Sequence, residues 1–389
     1  MIPLLPFPGW IVHPDWADRV VAPFLDQVAP EDRARIVTSN PDSYLHVSRP
    51  ANLGEDPVSV LAGNRAAIDR LIGAGAYRHD EEPAMYVYEQ REGPFVQTGI
   101  VAEVPVPAFA DGRVLGHEDV QPERVESLAD HIRTVGVRSE LVALMDGSST
   151  ALDRIRSDCL GQPPILELTF DGIAQTVWRV SGDAISSLSR GIGEGSLYIT
   201  DGHHRVAASI RLWEEAGRPE HHRVLCVVYP HIELRMVAFD RRVQGPLDAE
   251  KTLATLFDAA SVEPADGPSR EPGVFSLYLA GGWHRLVPRE RAYRAGVEGL
   301  DVTALHRDLL GALGVEAEDP RLEFVPALMP LDELVRRCDG DGGAIFVLHP
   351  PSLGQLKEVA DRGEVMPPKA TYFHPKPLTG LIVRFNDPV

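Results

Sequence analysis

A short β-rich run meets the start of a helix in the stretch Tyr198-Ile199-Thr200-Asp201-Gly202-His203-His204-Arg205-Val206-Ala207-Ala208. Apolar residues then recur every three to four positions, at Val206, Ile210 and Trp213, which predicts an amphipathic helix over about 203–217. The polar residues therefore fall on the first turn of that helix. There, backbone N–H groups and the positive end of the helix dipole favour an anion. We predict a nucleotide phosphate site at this junction.

The residue types of this motif suit a phosphate. Gly202 lets the backbone approach the phosphate closely, and Arg205 can place two N–H bonds on its oxygens. His203 and His204 point about 100° apart on a helix, so we expect them to donate to a phosphate or shape the pocket rather than chelate one metal. In the structural alternative, Asp201 caps the helix, the histidines are satisfied polar residues and Arg205 forms a salt bridge. That alternative explains poorly why the five residues are contiguous.

Composition limits the classes of function. The chain has 389 residues, a formal net charge of -19 and 44% hydrophobic residues, which is enough to bury a core in two or three subdomains. The acidic balance argues against nucleic acid as a partner, because a sequence-independent grip on phosphates needs surplus Lys and Arg. Cys159, Cys226 and Cys338 lie far apart without a CxxC pair, so we expect neither a disulfide framework nor a thiolate zinc site.

The N-terminal residues lack the pattern of a targeting segment. No basic residue precedes Arg19, acidic residues occur early at Asp15 and Asp18, and no apolar run approaches membrane-spanning length. We therefore expect a cytoplasmic protein with no membrane partner. The sequence predicts no particular oligomeric state.

The spacing of apolar residues along the chain predicts an α/β fold with α+β mixed sheets. We expect helices near 14–28, 58–73, 122–135, 151–160, 183–188, 302–310, 331–337 and 352–361. We expect strands at 85–90 and 96–104, joined as a hairpin by a loop of four to five residues, and at 140–145, 165–170, 174–180, 197–200, 223–229, 274–279, 283–286 and 343–348. Alternation of strands and helices favours parallel or mixed pairing, with the site at the strand ends.

Three domains are predicted: an irregular, proline-punctuated N-terminal α/β region over 1–95, a central nucleotide-binding catalytic domain over 96–245, and a C-terminal α/β domain over 246–389. The turn-rich stretch 264–273 is expected to be an exposed loop of the third region.

A candidate base lies well before the central motif. His117-Glu118 precedes a helix with Pro122 at its first position, and Glu118 taken alone is better explained as a helix cap or a solvated loop charge than as a base. The chain has no GxxxxGK[ST] loop, no GxGxxG after an early strand, no HExxH and no Gly-x-Ser-x-Gly elbow. A carboxylate near a substrate hydroxyl, opposite a bound nucleotide phosphate, would suit general-base phosphoryl transfer.

Several stretches resemble known families. The segment Gly202-His203-His204-Arg205-Val206-Ala207-Ala208 resembles the Gly-x-x-Arg-x-x-Ala form of the ParB and sulfiredoxin-like nucleotide-binding fold, and Asp-Gly-His-His-Arg is similar to the version in free-serine kinases. The segment 116–128 resembles the "HE…RVE.L" part of those kinases. Over nearly its whole length the chain resembles DUF1015, a family of uncharacterised bacterial and archaeal proteins, at Tyr86-Val87-Tyr88, Gln97-Thr98-Gly99, His117-Glu118, Asp201 to Arg205 and Met366-Pro367-Pro368-Lys369-Ala370-Thr371-Tyr372-Phe373-His374-Pro375-Lys376.

The resemblance implies a central ParB/sulfiredoxin-like domain that acts as a kinase on a small hydroxyl metabolite, with free L-serine as the leading acceptor and ATP or ADP as the donor. It implies Glu118 as the general base and His117 as a substrate-binding residue. It also implies a phosphate cradle formed by Gly202, His203, His204 and Arg205. Asp201 would orient the substrate hydroxyl or hold Mg²⁺, which prefers hard oxygen ligands.

The chain departs from these relatives at the motif. Sulfiredoxins place a reactive cysteine where His203 stands, which disfavours sulfinic acid repair. ParB-type CTPase switches carry DNA-binding helices, whereas this acidic chain has no basic recognition helix. The common motif continues with a tyrosine and a glutamate where Val206 and Ala207 stand here.

Two alternatives to a kinase stay open: a regulatory nucleotide-binding module without phosphotransfer, and a scaffold that no longer binds nucleotide. The basic, aromatic segment 369–376 is expected to be a docked C-terminus, with a lid over the nucleotide as the alternative.

Overall fold

The computed structural model describes residues 2–24, 27–28, 30–50, 55–147, 161–182, 184–186, 195–289 and 294–386. The fold is mixed α/β, as predicted. The chain divides into two compact units. The first unit comprises residues 1–116, 120–234 and 375–389, and the second comprises 117–119 and 235–374. The helix predicted over 151–160, and most of the one predicted over 183–188, lie outside the described residues.

The strands in chain order are β1 (Trp10–Val12), β2 (Tyr77–His79), β3 (Met85–Glu92), β4 (Phe95–Pro105), β5 (Val114–Leu115), β6 (Val137–Arg138), β7 (Val142–Asp146), β8 (Leu166–Phe170), β9 (Ile173–Val180), β10 (Leu197–Asp201), β11 (Arg223–Pro230), β12 (Met236–Val237), β13 (Phe239–Val243), β14 (Ala260–Ala265), β15 (Phe275–Leu279), β16 (Gly282–Pro288), β17 (Leu322–Pro326), β18 (Ala344–Val347), β19 (Tyr372–Phe373) and β20 (Ile382–Phe385).

The helices are α1 (Pro14–Val20), α2 (Pro30–Ser39), α3 (Leu45–Ser48), α4 (Pro57–Gly73), α5 (Val106–Ala110), α6 (Pro122–Val135), α7 (His203–Glu215), α8 (Ala249–Ala259), α9 (Asp301–Ala304), α10 (Leu331–Asp341) and α11 (Leu353–Asp361). A π-helix over Leu305–Leu310 continues α9. In the part of the chain that the structure describes, none of the helices combines the length and the apolar character needed to cross a membrane.

The first unit is built on an eight-stranded sheet in the order β5-β10-β7-β11-β4-β3-β9-β8. The pairs β10–β5 and β11–β7 are parallel and the other neighbours are antiparallel, so the predicted mixed pairing is confirmed. Apolar clusters cover both faces of its central strands: side chains alternate, so Tyr86 and Tyr88 join one cluster while Met85 and Val87 join the other. A sheet covered on both faces explains the nearly continuous burial of β4 and β11.

A smaller sheet of the first unit joins distant parts of the chain. Its order is β2-β1-β20-β6, and all three of its pairings are antiparallel. Strand β1 therefore lies between β2 and β20, so the segment 375–389 is structurally part of the first unit.

Local signals placed several elements correctly. Helix α4 begins after Asp56, whose carboxylate accepts from Ser59 N–H at 3.1 Å, and α6 ends at Gly136, which has the left-handed φ of 75°. The predicted four- to five-residue hairpin loop is wrong, because Glu92 and Phe95 still pair and leave a two-residue turn. This hairpin lies within the first unit, and the division of the chain into three domains stays a prediction.

The second unit holds a six-stranded antiparallel sheet in the order β14-β16-β15-β18-β13-β17, and a two-stranded pair of β12 with β19. One of its apolar clusters is formed by Tyr278, Val325, Leu334, Cys338, Ile345 and Val347. Strand β14 is an edge strand, which tolerates Pro264. The loop predicted over 264–273 is therefore wrong at Pro264 and Ala265, which pair with β16.

Gly99 marks a tight contact within the large sheet. A Cβ atom at Gly99 would lie 2.6 Å from Val227 Cγ2 and 2.7 Å from Tyr229 Cε1, both on the neighbouring strand β11. Gly99→Ala is therefore expected to lower the free energy of unfolding by about 1–3 kcal/mol through overpacking. Urea unfolding measures this loss as a lower midpoint for Gly99→Ala than for wild type.

The matched control is Gly63→Ala in α4, where a Cβ atom would meet nothing within 4 Å. Alanine favours a helix, so this variant should keep or slightly raise the midpoint. An unchanged midpoint for Gly99→Ala would contradict the packing of β4 on β11.

Candidate functional site

Strand β10 ends in a bulge. In its ladder with β7, Ile199 is opposite Leu144 and Asp201 is opposite Ala143, so Thr200 is an extra residue in β10. The Thr200 hydroxyl donates to the Ala143 carbonyl at 3.1 Å, which pins the bulge. The chain therefore leaves the sheet directly after Asp201.

Gly202 links this bulge to α7. Its φ of 103° and ψ of 25° are left-handed, a conformation that strains other residues. A Cβ atom at Gly202 would also lie 3.0 Å from Arg205 Cζ. Glycine is thus required both for the turn and for the position of the arginine.

Asp201 lies between two cations. Its Oδ1 accepts from Lys376 Nζ at 2.7 Å, and its Oδ2 contacts Arg205 Nη2. All three side chains are 10–15% exposed. Burial opposes ionisation, but the charges of Lys376 and Arg205 hold the pKa of Asp201 well below its usual range. The carboxylate is therefore ionised at neutral pH.

Arg205 has partners inside the first unit on several sides. Its Nη1 donates to the Leu141 carbonyl at 2.6 Å, its Cζ lies 4.7 Å from the centre of the Phe24 ring, and its Nε lies 4.0 Å from Glu140 Oε2. A phosphate could bind this guanidinium only by displacing one of these contacts. The charges around Arg205 and Lys376 are balanced by Asp201 and Glu140.

The two histidines of the motif contact the chain on either side of residues 117–119. A Cβ atom at Gly116 would lie 3.0 Å from His203 Cδ2, so Gly116 packs closely on the buried imidazole. His204 Nε2 accepts the Gln121 N–H at 3.0 Å. A nitrogen that accepts a hydrogen bond has no proton to donate to a phosphate. His204 Nε2 instead binds the backbone N–H of Gln121, the residue directly before α6.

His117 and Glu118 belong to the second unit, where they contact the segment after Val365. The Met366 N–H donates to the His117 carbonyl at 2.8 Å, and the Thr371 hydroxyl donates to Glu118 Oε1 at 3.4 Å. Because a hydroxyl has one proton, His117 Nε2 donates to Thr371 Oγ1, 3.3 Å away. His117 is buried, whereas the Glu118 side chain is 38% exposed.

Comparison with known proteins assigns the family. The chain matches the family described as Protein of unknown function (DUF1015) over residues 4–303. This protein belongs to the DUF1015 family. No curated protein matches the chain.

Some solved structures are similar to the DUF1015 chain at low TM-scores. Free serine kinase in complex with AMP has 14% identity, covers 70% of this chain and 86% of its own, and gives a TM-score of 0.38. C-terminally truncated SbnI from Staphylococcus aureus has 12% identity, 72% and 85% coverage, and a TM-score of 0.40. A conserved hypothetical protein from Pyrococcus furiosus has 14% identity, 70% and 90% coverage, and a TM-score of 0.36.

The predicted site residues of the DUF1015 chain fall into two groups. Residues 201–205 form one cluster at the β10–α7 junction of the first unit, and residues 117 and 118 form another in the second unit. Sequence reasoning missed Lys376 and Thr371, which contact Asp201 and Glu118. The available signal was their place in the segment 366–376, which resembles the family. The predicted docking of the C-terminus is confirmed for Lys376, whose side chain is 10% exposed.

Magnesium does not fit Asp201 in this arrangement. Both carboxylate oxygens already contact cations, whereas Mg²⁺ needs oxygen ligands that are available to it. Across the described ranges, the structure holds no group of three or more His, Cys, Asp or Glu that could bind a metal ion.

The low pKa of Asp201 predicts a pH-dependent stability. Its ion pairs contribute fully above the pKa of an unfolded aspartate, about 3.9, and this contribution is lost as pH falls through the lower pKa of the folded state. Asp201→Asn leaves Arg205 and Lys376 buried without their carboxylate. It should therefore cost about 3–5 kcal/mol near neutral pH.

Urea unfolding near pH 7 and near pH 3 tests this expectation. The difference between wild type and Asp201→Asn should shrink at the lower pH. Asp111→Asn is the control, because Asp111 forms an exposed pair with Arg113 and should matter little at either pH. An equal cost of Asp201→Asn at both pH values would refute an ionised, depressed Asp201.

Proposed function

We propose that this protein is a nucleotide-dependent kinase that phosphorylates the hydroxyl of a small metabolite, with free L-serine as the leading acceptor and ATP or ADP as the donor. The observation that supports it is the β10–α7 junction, where left-handed Gly202 opens a helix beside Asp201, Arg205 and Lys376. The first turn of a helix presents N–H groups and positive dipole charge to an anion. The motif also resembles that of the ParB/sulfiredoxin-like nucleotide-binding fold.

In this proposal the phosphates bind at the first turn of α7. The backbone at His203 and His204 supplies the N–H groups, and Lys376 is a cation of the same cluster, paired with Asp201. Arg205 first holds the junction together through Asp201 and Leu141. Its guanidinium would join the phosphate contacts only when a ligand takes over one of those bonds.

Glu118 is the proposed general base, and His117 the proposed substrate-binding residue. As the substrate oxygen bonds to the terminal phosphorus, the bond from that phosphorus to the bridging oxygen breaks and the hydroxyl proton passes to the Glu118 carboxylate. The partial exposure of Glu118 is compatible with contact to a substrate. The chain also packs on His203 at Gly116 and on His204 at Gln121, to either side of Glu118 in sequence.

Phosphoserine formation tests the proposal directly. Wild type and Glu118→Gln are incubated with serine, Mg²⁺ and either ATP or ADP, and phosphoserine is measured over time. Loss of a general base should lower the rate by about a hundredfold or more. Glu123→Gln, which removes an exposed carboxylate from the first turn of α6, should keep the wild-type rate.

If wild type forms no more phosphoserine than Glu118→Gln with either donor, the serine kinase proposal is wrong.

A nucleotide-binding module without phosphotransfer is the second candidate. It needs only the helix N-terminus that follows Gly202, with Lys376 in the same cluster, and it assigns no base to the chain. Calorimetry with ATP and ADP, followed by a consumption assay over a panel of hydroxyl compounds, separates the two. Binding without consumption supports the module, whereas consumption with an acceptor supports the kinase. If neither nucleotide raises the melting temperature of wild type, both fail and a scaffold is left.

A further inference from the structure

The segment 366–376, here called the C-terminal motif, contributes one side chain to each cluster described above. Thr371 contacts Glu118 in the second unit, and Lys376 contacts Asp201 in the first. We propose that the C-terminal motif positions both carboxylates, with Thr371 orienting Glu118 and Lys376 holding Asp201. The catalytic role of Glu118 rests on the proposed function, whereas the contacts themselves do not.

A buried arginine fixes the first half of the motif. Arg241 is fully buried, and its Nη2 donates to the carbonyls of Lys369 at 3.1 Å and Pro368 at 3.4 Å. Its Nε donates to His306 Nε2 at 3.0 Å. Burial, with the Arg241 charge, lowers the pKa of His306 to about 4, so the imidazole is neutral and accepts. Lys369 has the left-handed φ of 54°, and these bonds hold the turn in that conformation.

This turn holds the segment 117–119 at two points. The Met366 N–H binds the His117 carbonyl, and the buried Thr371 places its hydroxyl between His117 Nε2 and Glu118 Oε1. The hydroxyl accepts from the imidazole and donates to the carboxylate, so it fixes the direction of both side chains. Thr371 acts through Glu118 and is therefore a positioning residue.

Buried amides fix the second half of the motif. Gln97 Nε2 donates to the Pro375 carbonyl at 2.8 Å and to Gln90 Oε1 at 2.7 Å, and Gln90 Nε2 donates to the Lys376 carbonyl at 2.9 Å. Both glutamines are almost fully buried, where an unbonded amide would be costly. The backbone carbonyls of Pro375 and Lys376 satisfy these amides, and the amides in turn fix the position of that backbone. This accounts for the glutamine of the Gln97-Thr98-Gly99 stretch.

The glutamine pair brings Lys376 to Asp201 through backbone contacts alone. The charged and titratable groups around that carboxylate are then Lys376, Arg205 and His203, with Glu140 beyond Arg205. With Oδ1 bound by the ammonium and Oδ2 by the guanidinium, the plane of the carboxylate is fixed. Lys376 is thus a positioning residue for Asp201.

Carbon-13 NMR of aspartate carboxyls tests the Lys376 contact without any assay of activity. The Asp201 signal is identified by its loss in Asp201→Asn, and its titration is followed in Lys376→Met and Lys376→Arg. The titration midpoint should rise toward that of an ordinary aspartate in Lys376→Met and return in Lys376→Arg. Lys369→Met, which removes the other lysine of the motif, should leave it in place.

An unchanged Asp201 midpoint in folded Lys376→Met overturns this half of the proposal. If Lys376→Met does not fold, Lys376→Arg should restore folding, because it keeps a cation beside the Asp201 carboxylate and leaves the pair with Arg205 in place. Failure of that restoration also overturns it.

Thr371→Val and Thr371→Ser test the Glu118 contact. Valine keeps the shape but removes the hydroxyl, so the Glu118 carboxyl signal, identified with Glu118→Gln, should shift in Thr371→Val and recover in Thr371→Ser. In the kinase assay, kcat should fall between about tenfold and a hundredfold in Thr371→Val, with KM for the nucleotide unchanged. If the Glu118 carboxyl signal is unchanged in both variants, the contact between Thr371 and Glu118 is refuted. Shifts in both carboxyl signals without any kinase activity would refute the kinase and retain the positioning.

Discussion

The ionised carboxylate of Asp201, largely removed from water between Arg205 and Lys376, joins three parts of the first unit. It ends strand β10, it fixes the first turn of α7 through Arg205, and it receives the C-terminal motif through Lys376. A buried ion pair is tolerated only when every member is present, because a single unpaired charge in the interior is strongly destabilising. The bulge at Thr200, the left-handed Gly202 and the docked lysine are therefore mutually dependent.

This cluster also limits what the site can do. Arg205 connects Asp201 to Leu141 and Phe24, so its guanidinium supports the fold before it can contact a ligand. The helix N-terminus of α7 is the part of the junction that offers backbone N–H groups to an anion. The phosphate proposal therefore depends more on this backbone than on the guanidinium of Arg205.

The parts of the fold that the sequence predicts are those with local signals. Helix α6 has Pro122 at its start and Gly136 at its end, and α7 follows a glycine and an apolar period, so both were placed correctly. Strand β14 was missed because Pro264 is uncommon in strands, and only its edge position makes it acceptable. The pairing of β1 with β20 had no local signal, since it depends on residues at opposite ends of the chain.

The site follows the same rule. Residues 201–205 are contiguous and were predicted as one cluster from the sequence. Thr371 and Glu118 are 253 residues apart in sequence. Nothing in the sequence around a threonine indicates which distant residue its hydroxyl will contact. The acceptor role of His204 Nε2 depends on where Gln121 lies in space. Side-chain direction of this kind is decided by tertiary contacts that no spacing encodes.

The antiparallel pairing of β1 with β20 affects the order in which the units can be completed. A ribosome makes residues 235–374, the main segment of the second unit, before it makes β20 and Lys376. Domains tend to fold as units during synthesis, so this contiguous segment can fold while β1, Gln90 and Gln97 still lack their partners. The first unit is therefore the first to be synthesised and the last to complete its strand pairing and its buried hydrogen bonds.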